Sequence, residues 1–318
     1  MSSIESVPHA PGLAPLAPLV LALAPDEGYN LTALASVRLL RSNRSLSRTP
    51  VLYDPGIVIV CQGCKRGYFG RRTFTYDANQ YLAVSVPVPF TMETDATEEV
   101  PLLALYLHLE FPLAAELTLA IDRHAGTAND AEPQSLMSSP LDDAMHLSVQ
   151  RLLQGLADPV EAAVLGPQLL RELYYRILTG PQGPTLRAAL AMEGRFGKIG
   201  KALQRIHASY DQALSVAQLA EESGMSTPSF HSHFKAVTCT SPIQYLKSTR
   251  LHQARLLMVQ EGMTAAAACH AVGFESTSQF NREFKRLFGL TPAREAQRMR
   301  NSFALPSRQP DARYVSSH

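Results

Sequence analysis

One motif occurs twice in the C-terminal part of the sequence, and this repeat limits the possible fold more than any other feature. Each copy has two phenylalanines at i and i+4, a lysine directly after the second, and then a Ser-Pro or Thr-Pro pair. The matching residues are Phe230, Phe234, Lys235 and Ser241-Pro242 in the first copy, and Phe280, Phe284, Lys285 and Thr291-Pro292 in the second. Similarity at a fixed separation indicates one structural unit used twice.

The repeated unit is predicted to be a helix, a tight turn and a second helix. Gly224 and Gly273 precede the phenylalanines and suit a left-handed turn. Ser226 and Ser276 suit the N-cap of the helix that follows. Phenylalanines at i and i+4 share one helix face and are expected to pack inward. Each copy is therefore predicted to be a helix-turn-helix.

The opposite face of each second helix is polar, which suits contact with DNA. The candidate DNA-binding residues are Pro228, Ser229, His231, Ser232 and Lys235 in the first unit, and Thr277, Ser278, Gln279, Arg282 and Lys285 in the second. Gln, Arg and Ser side chains pair with base edges in the major groove, and Lys pairs with phosphates. The alternative is that both faces are only solvated helix surfaces.

At these residues the sequence resembles the AraC/XylS family of bacterial transcription regulators, from about Ile199 to Arg300. The most specific matches are Leu219 to Ser226, Arg250-Leu251 with Ala254-Arg255, and Ala271-Val272-Gly273-Phe274 through Thr291-Pro292. The resemblance implies two helix-turn-helix units joined by a long helix, here about Ile243 to Val259. A helix of this range is about 25 Å long, which suits two major-groove contacts one helical turn of DNA apart.

Two positions depart from the repeat. Cys239 stands where the second copy has Gly289, and Cys269 stands where the first has Ala220. A left-handed position that ends a helix tolerates Cys less well than Gly, so we expect the first unit to be less rigid there.

Charge is divided unevenly along the chain. The 318 residues are enough for two domains, and their net charge is only +1. Residues 198–302 contain 13 Lys and Arg against 7 Asp and Glu, a net charge of +6, which leaves −5 for the remainder. A basic repeat region suits phosphate binding. Four cysteines do not make a disulfide framework in a chain of this length, which favours a reducing cytosol.

Both ends of the chain are predicted to be disordered, namely residues 1–28 and 303–318. The apolar run from Leu13 to Ala24 is interrupted by Pro15 and Pro18 and has no Lys or Arg before it. It therefore lacks the charged start of a signal peptide and the length of a membrane span. A poorly conforming signal peptide is the alternative.

Residues 29–190 are predicted to form an effector-sensing and dimerisation domain. Short β-like runs separated by turn residues, at about residues 31–125, suggest a small barrel or jelly roll. Val51 to Glu110 resembles the cupin-like N-terminal domain of one AraC-type subgroup. The predicted fold class is α+β, with a cupin-like β-barrel and a helical layer followed by an all-α tandem helix-turn-helix domain at residues 193–302.

At about residues 141–190 the apolar residues recur with the 3.6-residue period of a helix, which predicts the helical layer. One helix is expected to bury Leu147, Leu152, Leu153 and Leu156, and another runs from Leu165 to Leu178 and ends at Gly180-Pro181. The resemblance implies that these helices dimerise, and the alternative is that they pack against the barrel.

The signal to which the N-terminal domain responds has two candidates. Cys61 and Cys64 flank Gln62-Gly63 beside Lys65-Arg66, whose charges would stabilise a reactive thiolate that senses oxidants or electrophiles. The alternative is that neither cysteine senses a signal: Cys61 is a small core residue and Cys64 is an incidental turn residue. The other candidate signal is a small organic ligand inside the barrel.

No enzymatic role is expected. His108, Glu110 and His124 lack the spacing of metal ligands. His231 and His233 lie on different sides of a helix. No phosphate-binding glycine motif is present in the sequence. We therefore expect no catalytic residue, no metal site and no cofactor.

The sequence thus predicts a one-component transcriptional regulator, an activator according to the resemblance. Its expected partners are promoter or operator DNA, RNA polymerase, an unknown small-molecule effector and a second copy of the chain, without any membrane. The expected location is the cytoplasm, on the nucleoid when bound to DNA. The alternative is an effector-independent, architectural DNA-binding protein whose N-terminal domain only dimerises.

Overall fold

The computed structural model describes residues 14–125 and 131–302, so the tail predicted at residues 303–318 lies outside the described residues. The strands are β1 Gly28–Leu31, β2 Val37–Ser42, β3 Leu46–Tyr53, β4 Gly56–Gln62, β5 Cys64–Phe69, β6 Arg72–Asp77, β7 Gln80–Val84, β8 Val88–Asp95, β9 Leu102–His108 and β10 Leu136–Pro140. The helices are α1 Leu16–Leu23, α2 Phe111–Ala125, α3 Asp143–Leu156, α4 Pro159–Val164, α5 Gly166–Thr179, α6 Gly183–Leu190, α7 Gly194–Ala208, α8 Val216–Glu222, α9 Thr227–Thr238, α10 Pro242–Gln260, α11 Ala265–Ala271, α12 Thr277–Phe288 and α13 Pro292–Ser302.

The strands form two antiparallel sheets that enclose a cupin-like barrel core, as predicted. The larger sheet has the order β1-β2-β9-β4-β7-β10, and the smaller has the order β3-β8-β5-β6. β4 is buried on both faces: Val58 and Val60 belong to the core between the sheets, and Ile57 and Ile59 to a core on the outer side. A strand buried on both sides needs a continuous apolar run, and residues 56–61 supply one.

A layer of helices covers the outer face of the larger sheet. Buried side chains of α1, α2, α3, α5 and α6 share one core with that face. Packing against the barrel was the alternative predicted for the helices at about residues 141–190. Leu147 was predicted on their buried face but is 47% exposed. The buried face of α3 is set by Met145 and Val149, and a residue two positions from Met145 lies on the other side of the helix.

The predicted disordered arm at residues 1–28 requires a correction in its second half. Residues 16–23 form α1, whose Leu16 and Val20 are buried against the larger sheet and α3. Pro18 does not prevent this helix, because it lies in the first turn, where backbone N–H groups have no intrahelical partner. Among residues 14–125 and 131–302, no helix is long and apolar enough to cross a membrane.

Besides α1, several elements of the N-terminal part were not predicted individually, namely β1, β3, β10, α2, α4 and α6. β3 includes Pro50, which cannot donate a ladder hydrogen bond and therefore argues against a strand. The strand tolerates Pro50 because β3 lies at the edge of the smaller sheet. β1 has only four residues, too few for a periodic pattern.

The C-terminal part has the predicted repeat. α8 and α9 form the first helix-turn-helix unit, α11 and α12 form the second, and α10 joins them. The 19 residues of α10 span about 28 Å, and its ends lie one residue outside the predicted range. α7 precedes the first unit, and α13 follows the second.

The DNA-binding part packs directly on the barrel. Phe230 and Phe234 of α9 belong to the same core cluster as Val51 and Phe90 of the smaller sheet. Three side chains also bond to backbone carbonyls across this contact. The hydroxyl of Ser135 donates to Val237 O (2.6 Å), that of Tyr245 to Pro87 O (3.0 Å), and the guanidinium of Arg255 to Pro50 O (3.2 Å). The barrel therefore contacts both the first unit and the joining helix.

Candidate nucleic-acid interface

The turn of each unit has the predicted cap and glycine. Ser226 Oγ accepts from the backbone N–H of Ser229, and Ser276 Oγ accepts from that of Gln279 (3.4 and 3.3 Å). Gly273 has a φ of +78°, and a Cβ there would lie 2.3 Å from the backbone oxygen of Asp211. The second turn therefore needs glycine both for its backbone conformation and for the approach of the neighbouring chain.

Four phenylalanines fix the orientation of the second helix in each unit. Phe230, Phe234, Phe280 and Phe284 have no exposed surface, and the ring centroids of each pair are 5.5 Å apart. Because these side chains face the core, the opposite faces of α9 and α12 point to solvent. We call these opposite faces the reading faces, defined by the ten DNA-binding residues predicted above.

The reading face of α12 is open. Thr277, Ser278, Arg282 and Lys285 are exposed, and Gln279 is partly exposed. Among the described residues, Arg282 forms no ion pair. The neighbouring Glu283 instead contacts Arg286 at 2.5 Å and Lys247 at 3.5 Å. The guanidinium of Arg282 is therefore available for a ligand.

The reading face of α9 is smaller and less basic. Pro228, His231, Ser232 and Lys235 are exposed. Ser229 is only partly exposed, because its hydroxyl lies 3.3 Å from Nδ1 of His233, which also contacts the Ser229 carbonyl oxygen at 2.7 Å. His231 and His233 thus have different surroundings, as predicted from their spacing.

The two units end their second helices with the same left-handed backbone but different residues. α9 ends at Cys239 with a φ of +57°, and α12 ends at Gly289 with a φ of +77°. Each backbone N–H donates to the carbonyl of the lysine four residues earlier, Lys235 or Lys285. A side chain at such a position costs about 1–2 kcal/mol relative to glycine.

Arg250 holds the two units together, a role that sequence reasoning did not assign. Its guanidinium donates to the backbone oxygens of Tyr210, Gln212 and Gly273 at 2.6, 2.7 and 2.9 Å. Two of these carbonyls precede α8, and the third lies in the turn between α11 and α12. One side chain of α10 therefore joins the segment before α8 to the turn of the second unit.

A buried ion pair closes the contact between α10, α13 and the barrel. Arg255 and Glu295 are both fully buried and lie 3.3 Å apart. The guanidinium of Arg255 also lies 4.3 Å from the ring centroid of Phe288. Burial lowers the pKa of Arg255 to about 10, and Glu295 opposes part of that shift. The sequence placed Arg255 in the family motif of the joining helix but did not predict its burial.

Side chains of the barrel contact one another in its interior, which also contains a buried cation. Tyr53 and Tyr76 join their hydroxyls at 3.1 Å, and a Cβ added at Gly67 would lie 1.9 Å from the ring of Phe90. Lys65 is 2% exposed, and its Nζ lies 3.9 Å from Sδ of Met92. Burial lowers the pKa of Lys65 to about 8.

Cys61 and Cys64 do not have the surroundings that the thiol-sensing hypothesis requires. Cys61 belongs to the buried core beneath the helical layer, and burial raises its pKa to about 12. Burial also raises the pKa of Cys64, against the opposing charge of Arg66. Lys65 is turned into the barrel. At both cysteines burial therefore opposes the thiolate that the thiol-sensing hypothesis requires.

The described residues contain no cluster of three or more His, Cys, Asp or Glu side chains with the geometry of a metal site. The chemistry available at the reading faces is instead that of hydrogen bonding and charge. Amide, hydroxyl and guanidinium groups of this kind recognise base edges, and ammonium groups recognise phosphates.

Comparison with protein families covers both parts of the chain. Residues 33–185 match the family model described as the AraC-type transcriptional regulator N-terminus. Residues 219–298 match the model of a helix-turn-helix domain. The two models thus match the N-terminal and C-terminal parts separately and in the order predicted.

The chain is also similar to individual regulators. It is 24% identical over 230 residues to the virulence regulon transcriptional activator VirF of Yersinia enterocolitica, covering 72% of this chain and 76% of that one. It is 31% identical over 103 residues to the RCS-specific activator RclR of Escherichia coli, covering 32% and 36%. The solved structure of unsaturated fatty acid bound ToxT from Vibrio cholerae covers 85% of this chain and 98% of its own, with a TM-score of 0.56. The sequence identity to ToxT is 11%, so this likeness concerns the fold alone.

Proposed function

Because this chain belongs to the AraC/XylS family of DNA-binding transcriptional regulators, we propose that it binds an operator through both reading faces and activates transcription from the neighbouring promoter. The observation that carries this proposal is the reading face of α12. Arg282 and Lys285 project from a helix that is fixed from behind by buried phenylalanines, and Arg282 has no ion-pair partner among the described residues. A fixed, unpaired guanidinium is suited to bidentate recognition of guanine.

The activator role and its setting follow from the relatives. VirF and RclR are both named transcriptional activators, and an activator works by assisting RNA polymerase at the promoter. We therefore include RNA polymerase as a partner and the bacterial cytoplasm as the location. Catalysis forms no part of the proposal.

We further propose that the N-terminal domain receives a small-molecule signal. ToxT, which shares the fold, has been solved with an unsaturated fatty acid bound. Here Ser135, Pro87 and Pro50 of the N-terminal domain hydrogen-bond directly to the DNA-binding part. A change in the N-terminal domain can therefore act directly on the DNA-binding part. The filled barrel interior around Phe90 favours the competing function, an effector-independent architectural protein, because a ligand at that point would have to displace side chains.

A second copy of the chain is the proposed partner of the helical layer. α4 and the residue after it expose Val160 (71%), Val164 (62%) and Leu165 (46%). Apolar side chains that project together into water are typical of an interface. Sedimentation at micromolar concentration should show a dimer, and Val160→Glu with Val164→Glu should convert it to a monomer. A monomeric unmodified protein would contradict dimerisation.

DNA binding is tested by comparing two substitutions on one helix face. Arg282→Ala should weaken binding to the operator by about 1–3 kcal/mol and reduce the preference for it over random duplex. Lys285→Ala should weaken both duplexes alike and lower the slope of log affinity against log salt by about one. Arg123→Ala, which removes an exposed charge of α2, is the matched control. Equal losses on both duplexes for Arg282→Ala would refute its role in base recognition.

A further inference from the structure

The outer face of α7 has a row of basic side chains outside the two reading faces. α7 contains four Lys and Arg residues and no Asp or Glu. Three of them, Lys198, Lys201 and Arg205, are exposed and lie within about 60° of one another around the helix axis, since each residue turns the helix by about 100°. We call these three residues the α7 stripe. It extends over about 10 Å of the helix axis.

The opposite face of α7 is fixed against the first reading helix. Ile199, Leu203 and Ile206 have no exposed surface, and they belong to the same core as Phe230 and Phe234 of α9. α7 also contacts α8. The core that orients the reading face of α9 therefore also holds the α7 stripe in a fixed position beside that unit.

The α7 stripe borders the turn that leads into α9. The ammonium group of Lys198 donates to the carbonyl of Gly224 at 3.1 Å, and Gly224 lies two residues before Ser226, the N-cap of α9. At its other end, Arg205 lies 3.6 Å from Glu222 at the end of α8. In helix-turn-helix complexes the first residues of the second helix contact base edges, while the first helix crosses the phosphate backbone. The stripe is therefore adjacent to the end of α9 that approaches DNA.

The charges of the α7 stripe are accessible to a ligand. Lys201, at its centre, has no hydrogen bond or ion pair within residues 14–125 and 131–302. Lys198 uses one of its three donors on Gly224. Arg205 donates to Ser209 and is 43% exposed. An exposed ammonium group without a partner can bind a phosphate without first breaking an interaction within the protein.

The first unit has few other cations for this purpose. The reading face of α9 contributes Lys235 alone, whereas that of α12 contributes Arg282 and Lys285. We propose that the α7 stripe binds the phosphate backbone beside the major groove that α9 reads. Such contacts fix the register of a protein on the duplex without reading its sequence. The inference rests on the proposed function, because α9 defines the groove.

An acidic protein surface, such as one on RNA polymerase, is the competing partner for a basic helix face. The contact between Lys198 and Gly224 favours DNA, because α9 enters a major groove only by bringing its first residues, and the turn before them, close to the duplex. The groove is bordered by phosphates on both sides, so cations next to that turn face a phosphate strand.

Titration of the full chain with DNA at several salt concentrations tests the stripe, using random duplex and an operator selected from random duplexes. Lys201→Gln should lower the slope of log affinity against log salt by about 0.9, and weaken both duplexes by the same factor, about fivefold to tenfold near 0.1 M salt. The triple variant Lys198→Gln, Lys201→Gln, Arg205→Gln should lower the slope by about 2–3. Arg123→Gln removes an equal charge from an exposed position of α2 and should leave the slope unchanged.

Uncharged methylphosphonates, placed singly along the operator, locate the contact. The base pairs at which Arg282→Ala relaxes the sequence preference identify the groove of α12. Beside the other groove, at least one methylphosphonate should weaken the unmodified protein about fivefold but Lys201→Gln less than about twofold, because both changes remove the same interaction. Methylphosphonates beside the groove of α12 should weaken both proteins alike.

An unchanged salt slope in Lys201→Gln and in the triple variant, with DNA binding intact, would overturn the stripe and leave the proposed function standing. Methylphosphonate effects that are equal in both proteins at every position would do the same. A triple variant that binds both duplexes normally but no longer activates transcription would assign the stripe to an acidic protein surface instead.

The opposite pattern would separate the two proposals. A lowered slope on random duplex, in a protein that prefers no operator, would support the stripe and refute the proposed function. Lys201 has no partner to lose among the described residues, so Lys201→Gln tests the stripe even if the triple variant fails to fold.

Discussion

Replacing Lys65 by Met should stabilise the protein, because the barrel buries the charge of this lysine and no carboxylate of the described residues forms an ion pair with it. Burial lowers the pKa of Lys65 from 10.5 to about 8, which corresponds to about 3 kcal/mol of unfolding free energy lost while the group is charged. Met keeps most of the side-chain volume but is one atom shorter, and the small void costs about 1 kcal/mol. The net expectation at pH 7 is about 2 kcal/mol of added stability.

The pH dependence of this effect has a definite sign. The folded-state pKa is the lower one, so the destabilisation is fully present below about pH 8 and disappears as the pH rises to 10.5. Over that interval the stability of the unmodified protein should rise relative to the Lys65→Met variant. The advantage of the variant should therefore shrink from about 2 kcal/mol at pH 7 to below zero at pH 10.5.

Urea unfolding followed by far-ultraviolet circular dichroism measures this difference, since the chain has no tryptophan to report by fluorescence. Lys201→Met is the matched control: this lysine is exposed on α7, and its loss should change stability by less than about 0.5 kcal/mol. A Lys65→Met variant that is equally or less stable at pH 7 would refute the argument. It would mean that the charge of Lys65 is compensated inside the barrel.

Three further predictions concern the packing of the DNA-binding part. Arg255→Met should cost about 1.5–3 kcal/mol of stability, because the buried Glu295 then keeps only Arg298 (2.8 Å) as a charged partner. The double variant Arg255→Met, Glu295→Leu should recover most of that loss, and thermal unfolding of the two variants measures the difference. Cys239→Gly should stabilise the protein by about 1 kcal/mol and Gly289→Ala should destabilise it by a similar amount, because both positions have a left-handed backbone. Urea unfolding should therefore show changes of opposite sign in the free energy of unfolding, and changes of equal sign would contradict this explanation. Tyr245→Phe should lower the free energy of unfolding by about 1–3 kcal/mol, because the Tyr245 hydroxyl bonds to both the Pro87 carbonyl and the ring of His207 (2.8 Å). The backbone amides of the β7–β8 connection should then exchange hydrogen faster.

The repeat could be predicted because its signals are local. Ser226 and Ser276 bond to N–H groups three residues later, and Gly273 adopts its backbone angle within one turn, so spacing alone carries the information. The faces of α9 and α12 follow in the same way from Phe230 and Phe280. The β-barrel was recognisable for a similar reason, since alternating and continuous apolar runs reflect the burial of each strand on one or two faces.

Elements that depend on distant partners could not be predicted. Pro18 indicated a broken helix, yet α1 forms because the first turn needs no N–H from that residue and Leu16 and Val20 find a core to bury. Lys65 was taken as a cation next to Cys64, although the strand alternation turns its side chain into the barrel. In both cases the tertiary environment outweighs the local chemistry.

The contacts between the two parts of the chain show why regulation is harder to predict from sequence than DNA binding. Ser135, Tyr245 and Arg255 all donate to backbone carbonyls, of Val237, Pro87 and Pro50 respectively. Every residue has a carbonyl, so the acceptor side of such a bond leaves no mark on the sequence, and the donors are separated from their partners by 102, 158 and 205 positions. A carbonyl nevertheless moves with its strand or helix. Any displacement of β3, or of the β7–β8 connection, therefore shifts the acceptors of hydrogen bonds donated by α10. Because Arg250 on the same helix holds both the segment before α8 and the turn of the second unit, a signal that moved the barrel relative to α10 would shift both units together.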